Sequence, residues 1–322
     1  MIPEDEMLKM VKYATKAPSG HNTQPWKFKV ESDNITIIPD FTRALPAVDS
    51  DNHALYISLG CALENLRIAA PVFGYDTKIE FKYIENELNI KVTFLGSTEN
   101  VHSDLFSFIE KRQVTRNEFQ SEKLKPEVLA ELFDDILEEG VHLKLFTSDK
   151  EIRTLTPFII EGSNLQFNNK AFVNELVSWC RFSEKEVLIK GDGLWSASMG
   201  LPNIGRFVGS FIMKNLVSAK SEAKRWNKII KKTGGFVLFM VEKNDCNNWI
   251  KLGQVFQRFG LKATKLNIRH AHANMPCEEQ AIREKMIKTF ELNNLTPLLL
   301  IRFGYSNPLP YSYRRKLSDV IV

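Results

Sequence analysis

The 322-residue sequence lacks the features that would identify a function at once. Its four cysteines are widely spaced and form no CxxC pair, so neither a zinc site nor a dithiol redox motif is indicated. No stretch of about 18 uncharged apolar residues is present, so no transmembrane helix is predicted. The sequence also has no GxGxxG after a strand, no GxxxxGKS/T and no GxSxG. These absences argue against Rossmann dehydrogenases, P-loop enzymes and α/β-hydrolases.

The chain carries little net charge for its length. Its 43 Lys and Arg residues exceed its 39 Asp and Glu residues by only four, which does not favour a nucleic-acid partner. The amino terminus has no apolar segment typical of a signal peptide, and the scattered cysteines are typical of reduced intracellular thiols. We therefore expect a cytoplasmic protein with neither a nucleic-acid nor a membrane partner. At about 150 residues per domain, two domains are expected.

Hydrophobic periodicity predicts a mixed α and β structure in the first hundred residues. Met7, Met10, Val11 and Ala14 follow an i, i+3, i+4, i+7 pattern, which predicts an amphipathic helix over 4–16. Apolar residues that alternate around short polar turns then predict two hairpins. A strongly apolar helix is predicted between these hairpins.

The remaining residues are predicted to be more helical. A polar linker at 97–102 leads into them. Helices are predicted at 103–112, 126–139, 149–180 and 247–268, and strands at 141–146, 234–243 and 296–305. Residues 183–220 are rich in glycine and follow no regular pattern, so we expect them to form a lid or binding loop.

Two apolar segments share a weak internal similarity. GCALENLRIAAPVFGY begins at Gly60 and GQVFQRFGLKATKLNI begins at Gly253. Each has an apolar residue eight positions after its glycine and an alanine two positions later. Many buried helices carry a small residue where they pack closely, so this pattern alone does not establish a repeat. It is nevertheless what a chain built from two related halves would show.

The first candidate site is the loop between the first helix and the first strand. Pro18, Ser19, Gly20, Asn22 and Gln24 provide a hydroxyl and two carboxamides within a few residues. Such neutral donors and acceptors could read the polar edge of a flat heterocycle. The alternative is an ordinary turn in which these side chains bond to their own backbone.

The second candidate site is the segment RQVTR. Arg112 and Arg116 are four positions apart, which places them on one helical face if the preceding helix continues. Paired guanidinium groups suit a phosphate. The alternative is a solvated basic turn whose arginines pair with Glu110 and Glu118.

Two further groups need an interpretation. Arg314 and Arg315 begin a short basic run after a predicted buried strand, a placement that indicates a segment held in the fold rather than a free tail. His270 and His272 have a spacing that metal pairs use, but no further ligands complete a site, so no metal is predicted.

In combination, these motifs resemble the nitroreductase family of flavin enzymes. The resemblance is carried, in chain order, by APSGHNTQPWKF, SLGCALENLRIAA, KRQVTRNEF, LGQVFQRFGLKATKLNI and LLLIRFGYSNPLPYSYRRKLSDVI. Ordinary members have the arginine motif before the PSxxNxQPW loop, whereas here the loop comes first. This order resembles the fused, single-chain, Acg-like branch, in which one chain imitates the family dimer. Residues 120–235 match the family least well.

The resemblance implies an α+β fold with two mixed, mainly antiparallel sheets and flanking helices. It implies a pseudo-dimer within one chain, with halves at 1–100 and 101–322 and a lid at 183–220, and leaves further dimerisation open. It also implies one composite FMN site. Arg112, Arg116 and either Arg314 or Arg315 would then bind the 5′-phosphate, and Gln113 would lie beside the ribityl chain.

The loop residues would contact the rest of the flavin in this reading. Ser19, Gly20, Asn22 and Gln24 would approach the isoalloxazine and ribityl groups, and Pro18 would pack on the ring. The implied activity is hydride transfer from NADH or NADPH to a small acceptor such as a quinone or nitroaromatic, with the chemistry carried by the flavin rather than by catalytic side chains. Two alternatives remain: a flavin-sequestering stress-related protein with an occluded site, and a binding protein that has lost FMN.

Overall fold

The structure is a computed structural model that describes residues 2–97 and 103–322. Apart from Ser97, the linker predicted at 97–102 lies outside the described residues. The α-helices are α1 (Glu4–Ala14), α2 (His53–Ala69), α3 (Pro126–Phe133), α4 (Asp149–Asn168), α5 (Lys170–Trp179), α6 (Glu184–Lys190), α7 (Arg206–Asn215), α8 (Ala219–Lys231), α9 (Cys246–Lys265), α10 (Met275–Glu278) and α11 (Gln280–Thr289). The strands are β1 (Trp26–Val30), β2 (Asn34–Pro39), β3 (Tyr75–Ile84), β4 (Glu87–Ser97), β5 (Val141–Phe146), β6 (Cys180–Arg181), β7 (Leu194–Trp195), β8 (Gly235–Val241), β9 (Arg269–His272) and β10 (Thr296–Gly304).

The first sheet is built from the two predicted hairpins. Its strand order is β1-β2-β4-β3, and each neighbouring pair is antiparallel. Phe28 lies opposite Ile37, which lies opposite Ile90, and all three side chains are fully buried. This cross-strand row gives the sheet one apolar face, and that face packs in the same core as α1 and α2.

The second sheet has the strand order β5-β8-β10-β9 and is also antiparallel. Every residue of β8 is buried, because this central strand has helices on both faces. Val237 and Phe239 belong to the core that contains α9, whereas Phe236 and Leu238 belong to a second core formed with α4 and α8. A strand covered on both sides needs a continuous apolar run, which is the pattern of its sequence. The predicted α+β class with two antiparallel sheets is confirmed.

The two halves of the chain meet where α2 and α9 cross at backbone contact distance. A Cβ atom added to Gly60 would lie 2.1 Å from the carbonyl oxygen of Ile250, and one added to Gly253 would lie 2.1 Å from that of Ile57. Each glycine thus faces the residue three positions before the other glycine. Such reciprocal contacts are those of a two-fold axis, here within one chain. They relate the same two glycines that begin the internal similarity.

A buried polar ladder extends the same crossing. The Glu64 carboxylate accepts hydrogen bonds from Nε of Arg258, at 2.6 Å, and from Nε2 of Gln254, at 3.1 Å. One helical turn further along α9, Nε2 of Gln257 donates to Oδ1 of Asn65 at 2.6 Å. These bonds fix the register of the two helices, because a shift would leave a buried charge without its partner.

The carboxyl-terminal residues return to the amino-terminal sheet. The backbone N–H of Phe28 donates to the carbonyl of Val320 at 2.7 Å, and the N–H of Val322 donates to the carbonyl of Phe28 at 3.0 Å. One continuous hydrophobic core also contains residues from both sheets. The two halves predicted at 1–100 and 101–322 therefore share one hydrophobic core. Their boundary at residue 100 stays a prediction.

Several predicted elements differ from the structure. The predicted helix at 149–180 is divided at Asn169 into α4 and α5. The expected helix at 103–112 is only a short 3-10 turn at Phe106–Phe108, whose apolar neighbours pack on Ile68 and Leu261. Helix α3 ends at Phe133 rather than at 139, because Asp135 adopts a left-handed conformation with φ 44°. Residues 183–220 are more regular than expected, since they contain α6 and α7. In the described residues, no helix is long and apolar enough to cross a membrane.

Gly60→Ala tests the helix crossing. We expect the free energy of unfolding to fall by about 1–3 kcal/mol, because the new methyl group overpacks the contact with Ile250. The measurement is urea unfolding followed by circular dichroism. Gly96→Ala is the matched control, since no atom lies within 4 Å of the added Cβ. Equal stability of the two variants would contradict the close crossing.

Candidate functional site

A cavity of about 280 Å³ lies between the loop that follows α1 and the segment 112–116. The first half of the chain contributes Pro18, Ser19, Gly20 and Asn22 to its wall, and the second half contributes Arg112, Gln113, Arg116 and Arg314. The structure thus brings together eight of the ten predicted site residues. Gln24 and Arg315 do not line the cavity.

The loop after α1 is a tight turn with an unusual backbone. His21, Asn22 and Gln24 have φ values of 48°, 56° and 54°, in the left-handed region that side chains other than Asn seldom adopt. Oγ of Ser19 accepts a hydrogen bond from the N–H of Gln24 at 2.9 Å and closes the turn. Such a conformation persists only where surrounding contacts hold it, and it is typical of functional loops.

The two carboxamides of the loop supply those contacts. Asn22 Nδ2 donates to the carbonyl of Gly193 at 3.1 Å, and Gln24 Nε2 donates to that of Gly191 at 2.8 Å. Gln24 Oε1 accepts from the N–H of Arg315 at 2.8 Å. Gln24 is completely buried and its carboxamide is bonded at both ends. Gln24 therefore joins the loop to the segments at Gly191 and Arg315, a role that neither interpretation of the loop predicted.

The segment RQVTR is extended, so the preceding helix does not continue and its two arginines do not share a helical face. Val114 forms a parallel bridge with His270, and the N–H of Thr115 donates to the carbonyl of His270 at 2.9 Å. The segment therefore adds to the edge of the second sheet beside β9. Extended backbone turns alternate residues to the same side, so Arg112 and Arg116 still both reach the cavity. Their Cα atoms are then about 13 Å apart, with Arg116 toward Arg225 and Arg112 toward Arg314.

Arg112 is a buried guanidinium group with unused donors. Its side chain is 5% exposed, and Nη2 donates to the carbonyl of Lys16 at 3.1 Å. Nε and Nη1 are buried and have no hydrogen-bond partner among the described residues. Burial lowers the pKa of Arg112 to about 10. An anion in the cavity would satisfy these donors and offset the cost of burying the charge.

Arg314 lies beside Arg112 and is bonded almost entirely to backbone. Its Nε donates to the carbonyl of Thr15 at 2.9 Å, and its Nη2 donates to that of Lys16 at 3.2 Å. These carbonyls belong to the carboxyl end of α1, where the helix dipole favours a cation. Nη1 also donates to Oδ1 of Asn22 at 3.0 Å. Burial, together with the charge of Arg112, lowers the pKa of Arg314 to about 9.

Arg315 points elsewhere. Its Nη1 lies 3.8 Å from the carboxylate of Asp40 and donates to the carbonyl of Gln24 at 3.2 Å. Nη2 donates to the carbonyl of Asp319 at 2.5 Å. The structure therefore places Arg314, and not Arg315, at the cavity.

Gln113 is held by one end of its carboxamide. Its Oε1 accepts from the N–H of Leu309 at 2.9 Å and from the hydroxyl of Thr115 at 3.3 Å. Its Nε2 is buried and has no partner among the residues that the structure describes. A second donor is therefore available in the cavity wall next to Arg112.

The far end of the cavity contains residues that the sequence did not predict. Helix α8 contributes Glu222, Arg225 and Trp226 to the wall near Arg116. Arg225 Nη1 donates to the Glu222 carboxylate at 3.1 Å, and burial together with the charge of Arg225 lowers the pKa of Arg116 to about 10. Helix α8 lies in the segment that matches the family least well. The signal that could have identified it is Trp226, a large aromatic residue inside a basic helix.

A buried carboxyl group and an imidazole complete the wall. Glu278 accepts hydrogen bonds from Nε2 of Gln166 at 2.7 Å and from Nδ2 of Asn274 at 3.1 Å, and burial raises its pKa. Burial and the charge of Arg116 lower the pKa of His272 to about 3, so this imidazole is neutral at ordinary pH. The ring of His272 packs edge-on against Phe256, with ring centroids 5.3 Å apart.

Asp49, Asp51 and His53 are close enough together to hold a metal ion. Nδ1 of His53 lies 2.5 Å from Oδ1 of Asp51. The carboxylate of Asp49 accepts from the N–H groups of Ala54 and Leu55, both at 2.9 Å, and so caps the start of α2. These bonds give the three residues a structural role at the helix terminus.

Comparison with known proteins gives local matches. No family model matches the chain. It is 30% identical over 80 residues to the putative NAD(P)H nitroreductase acg of Mycobacterium tuberculosis, and 32% identical over 79 residues to a second putative NAD(P)H nitroreductase of that bacterium. These matches cover 25% and 24% of this chain, and the chain spans only about a quarter (24% and 23%) of the length of these relatives.

Solved structures align over more of the chain at low identity. A nitroreductase-like family protein from Bacillus cereus aligns with 68% of this chain and 94% of its own, at 12% identity and a TM-score of 0.41. The FMN-dependent nitroreductase NfnB from Mycobacterium smegmatis, in complex with NADPH, aligns with 66% of this chain and 94% of its own, at 12% identity and a TM-score of 0.41.

The neutral imidazoles predict a pH dependence of stability. Burial lowers the pKa of His21 to about 4 and that of His272 to about 3, whereas unfolded histidine titrates near 6.5. Below pH 6.5 the unfolded chain therefore binds protons that the folded chain does not. The free energy of unfolding should fall as the pH falls from 6.5 to 4, by up to about 1.4 kcal/mol per pH unit for each such histidine.

The measurement is urea unfolding of flavin-free protein at several pH values, for the wild type and for His272→Gln. The variant should show a shallower slope, by about one proton. The comparison isolates His272, because buried acids such as Glu278 act in the opposite direction in both proteins. Identical slopes between pH 4 and 6 would contradict the neutral, buried state of this imidazole.

Proposed function

We propose that this nitroreductase-like chain is an FMN-dependent NAD(P)H oxidoreductase that acts on small acceptors. One observation carries the proposal: Arg112 is buried at the cavity with two donor nitrogens, Nε and Nη1, that have no partner among the described residues, beside a second buried guanidinium group, Arg314. Two adjacent buried cations repel each other unless an anion lies between or beside them. The phosphate of FMN provides such an anion.

The residues of the cavity fit the remainder of FMN. The phosphate would be bound at the end of the cavity formed by Arg112 and Arg314. Gln113 Nε2, an unpaired donor next to Arg112, suits a ribityl hydroxyl group. Pro18, Ser19 and Asn22 come from the other half of the chain and would contact the ring system. Arg116 lines the far end, so we assign it to the flavin rather than to the phosphate group itself.

Two of the residues predicted to bind the cofactor hold the loop after α1 in place. Gln24 and Arg315 do not line the cavity, and both bond to the backbone that shapes it. We propose that they position the loop without contacting the cofactor. FMN bound in this cavity would supply the hydride chemistry that joins oxidation of NADH or NADPH to reduction of an acceptor such as a quinone or nitroaromatic compound. The protein would orient first the nicotinamide nucleotide and then the acceptor at this cavity.

Arg112→Ala tests the phosphate assignment. We expect the affinity for FMN to fall by about 10–100-fold, because charge-assisted hydrogen bonds to the phosphate are lost. The affinity for riboflavin, which has no phosphate, should change little. Flavin fluorescence titration measures both dissociation constants, and their ratio reports on the phosphate alone.

Arg315→Ala is the matched control, since its guanidinium group lies outside the cavity wall. Any effect of this substitution on the loop should weaken FMN and riboflavin equally. If Arg112→Ala leaves the preference for FMN unchanged, or Arg315→Ala abolishes it, the assignment fails.

A second function, flavin sequestration with little turnover, is favoured by the anchoring of the segment 191–194. Asp192 accepts from Nε of Arg181 at 3.0 Å and also from Nη2 of Arg43, which belongs to the first half of the chain. The N–H of Gly193 donates to the carbonyl of Asn22 at 3.2 Å, and Leu194 lines the cavity. A segment held by buried ion pairs does not leave the cavity easily.

Anaerobic reduction separates the two functions. Holo-protein is mixed with NADPH or NADH and the flavin absorbance is followed. Bleaching by either nucleotide supports the oxidoreductase. A flavin that dithionite reduces but neither nucleotide does supports sequestration.

Asp192→Ala shows whether the anchored segment sets the rate. We expect it to speed reduction by the nucleotide, since it releases Arg43 and Arg181 from the segment. Asp149→Ala, which removes only an exposed ion pair with Lys123, is the control and should leave the rate unchanged. Equal rates for the two variants would exclude this segment as the barrier.

A further inference from the structure

Helix α7 presents an apolar surface to solvent. Phe207 is 88% exposed and Phe211 is 54% exposed, on one face of the helix. The same segment exposes further large apolar side chains before, within and after α7. Together these residues form what we call the α7 surface: Leu201, Ile204, Phe207, Val208, Phe211 and Leu216. Soluble proteins seldom expose so many large apolar side chains in one segment without a partner for them.

The opposite face of α7 explains why these residues point outward. Gly209 lies directly on the ring of Phe182, where an added Cβ would be 2.1 Å from a ring carbon. Ile212 and Met213 are half-buried on the same side. The helix is therefore already packed by its small and medium side chains, and no refolding of α7 is needed to expose Phe207 and Phe211.

Positive charge is concentrated in the same segment. Residues 201–232 contain eight Lys or Arg residues and a single acidic residue, Glu222, whereas the whole chain has a net charge of only +4. Lys214 follows the exposed phenylalanines on α7, and Lys220 and Lys224 begin α8. All three are exposed, and the ion pairs of the described residues include none of them. The segment that carries the α7 surface therefore also carries exposed lysines that have no ion-pair partner among the described residues.

We propose that the α7 surface docks on a bilayer that contains anionic phospholipids. Exposed aromatic and aliphatic side chains next to lysines are the two features that peripheral membrane binding uses: apolar groups enter the headgroup region and cations bind its negative surface. The lysines without ion-pair partners disfavour a self-contact, because a second copy would bring its own Lys214, Lys220 and Lys224 toward the interface. The aliphatic character of Leu201, Ile204 and Leu216 favours lipid over nucleic acid, whose bases need flat aromatic partners.

Docking in this way requires no membrane-spanning helix, and it departs from the expectation, drawn from the sequence, that the protein has no membrane partner. It also orients the molecule. Helix α7 packs against α5, and α5 contributes Phe172 and Leu176 to the cavity wall. A bilayer on the α7 surface would therefore lie next to a helix whose neighbour, α5, lines the cavity. The inference stands on the surface residues and does not depend on which cofactor occupies the cavity.

The test is co-sedimentation with vesicles. We expect the purified full chain to bind vesicles of phosphatidylglycerol and phosphatidylcholine at least about tenfold more strongly than vesicles of phosphatidylcholine alone. The double substitution Phe207→Glu and Phe211→Glu should reduce binding to the anionic vesicles by about tenfold or more. Lys220→Gln with Lys224→Gln should weaken it and make it less sensitive to salt.

The matched control is Tyr83→Glu with Ile84→Glu. These side chains are 66% and 55% exposed at the far hairpin of the first sheet and should not affect vesicle binding. Circular dichroism confirms that each variant is folded. The proposal is overturned if the wild type does not bind anionic vesicles or if the two double-glutamate variants bind equally. Two further results would overturn it. In the first, vesicles do not bind and ultracentrifugation shows a dimer that Phe207→Glu with Phe211→Glu dissociates. In the second, a DNA duplex binds to the protein and the vesicles do not.

Discussion

The rest of the structure depends on the contact between α2 and α9, where two backbones touch at Gly60 and Gly253. Because each helix belongs to a different half of the chain, this contact sets how the halves are placed. It also sets the distance between the loop after α1 and the extended segment 112–116, which lies beside the strand that follows α9. The cavity is the space left between these two segments. A wider crossing would separate its two walls.

The buried positive charge at the cavity is not fully matched by negative charge from the surrounding residues that the structure describes. Arg112, Arg116 and Arg314 all have a lowered pKa, and burial is the first cause in each case. Arg314 is compensated by carbonyls at the end of α1, and Arg116 has Arg225 rather than a carboxylate as its charged neighbour. Arg112 retains unused donors. The cavity wall therefore carries buried positive charge that the described residues compensate only in part.

Local sequence predicted much of the fold and part of the site. The alternation in the hairpins and the continuous apolar runs of β8 and β10 predicted strands correctly, since burial of one or both faces dictates those patterns. The loop at Ser19 and Asn22 was predicted from its clustered hydroxyl and carboxamide groups and from the resemblance of its motif to a known family. The far wall was missed, because Glu222 and Arg225 reach the cavity only through the packing of α8 on α4. Tertiary contacts also decide which of the two adjacent arginines lines the cavity. Arg315 bonds to the carbonyl of Asp319 and lies near the Asp40 carboxylate, and no local sequence pattern predicts these contacts.

The return of residues 320–322 to the amino-terminal sheet has a consequence for synthesis on the ribosome. Phe28 obtains its hydrogen-bonding partner, and the loop at Asn22 its guanidinium clamp, only after some 290 further residues have been translated. At about 5–20 residues per second, this takes roughly 15–60 s. During that interval the outer edge of β1 is an unpaired strand edge, the kind of surface that pairs with other nascent chains. The last part of the chain thus acts as a cover for the first, and its arrival marks the end of the period in which the protein is most exposed to aggregation and to chaperones.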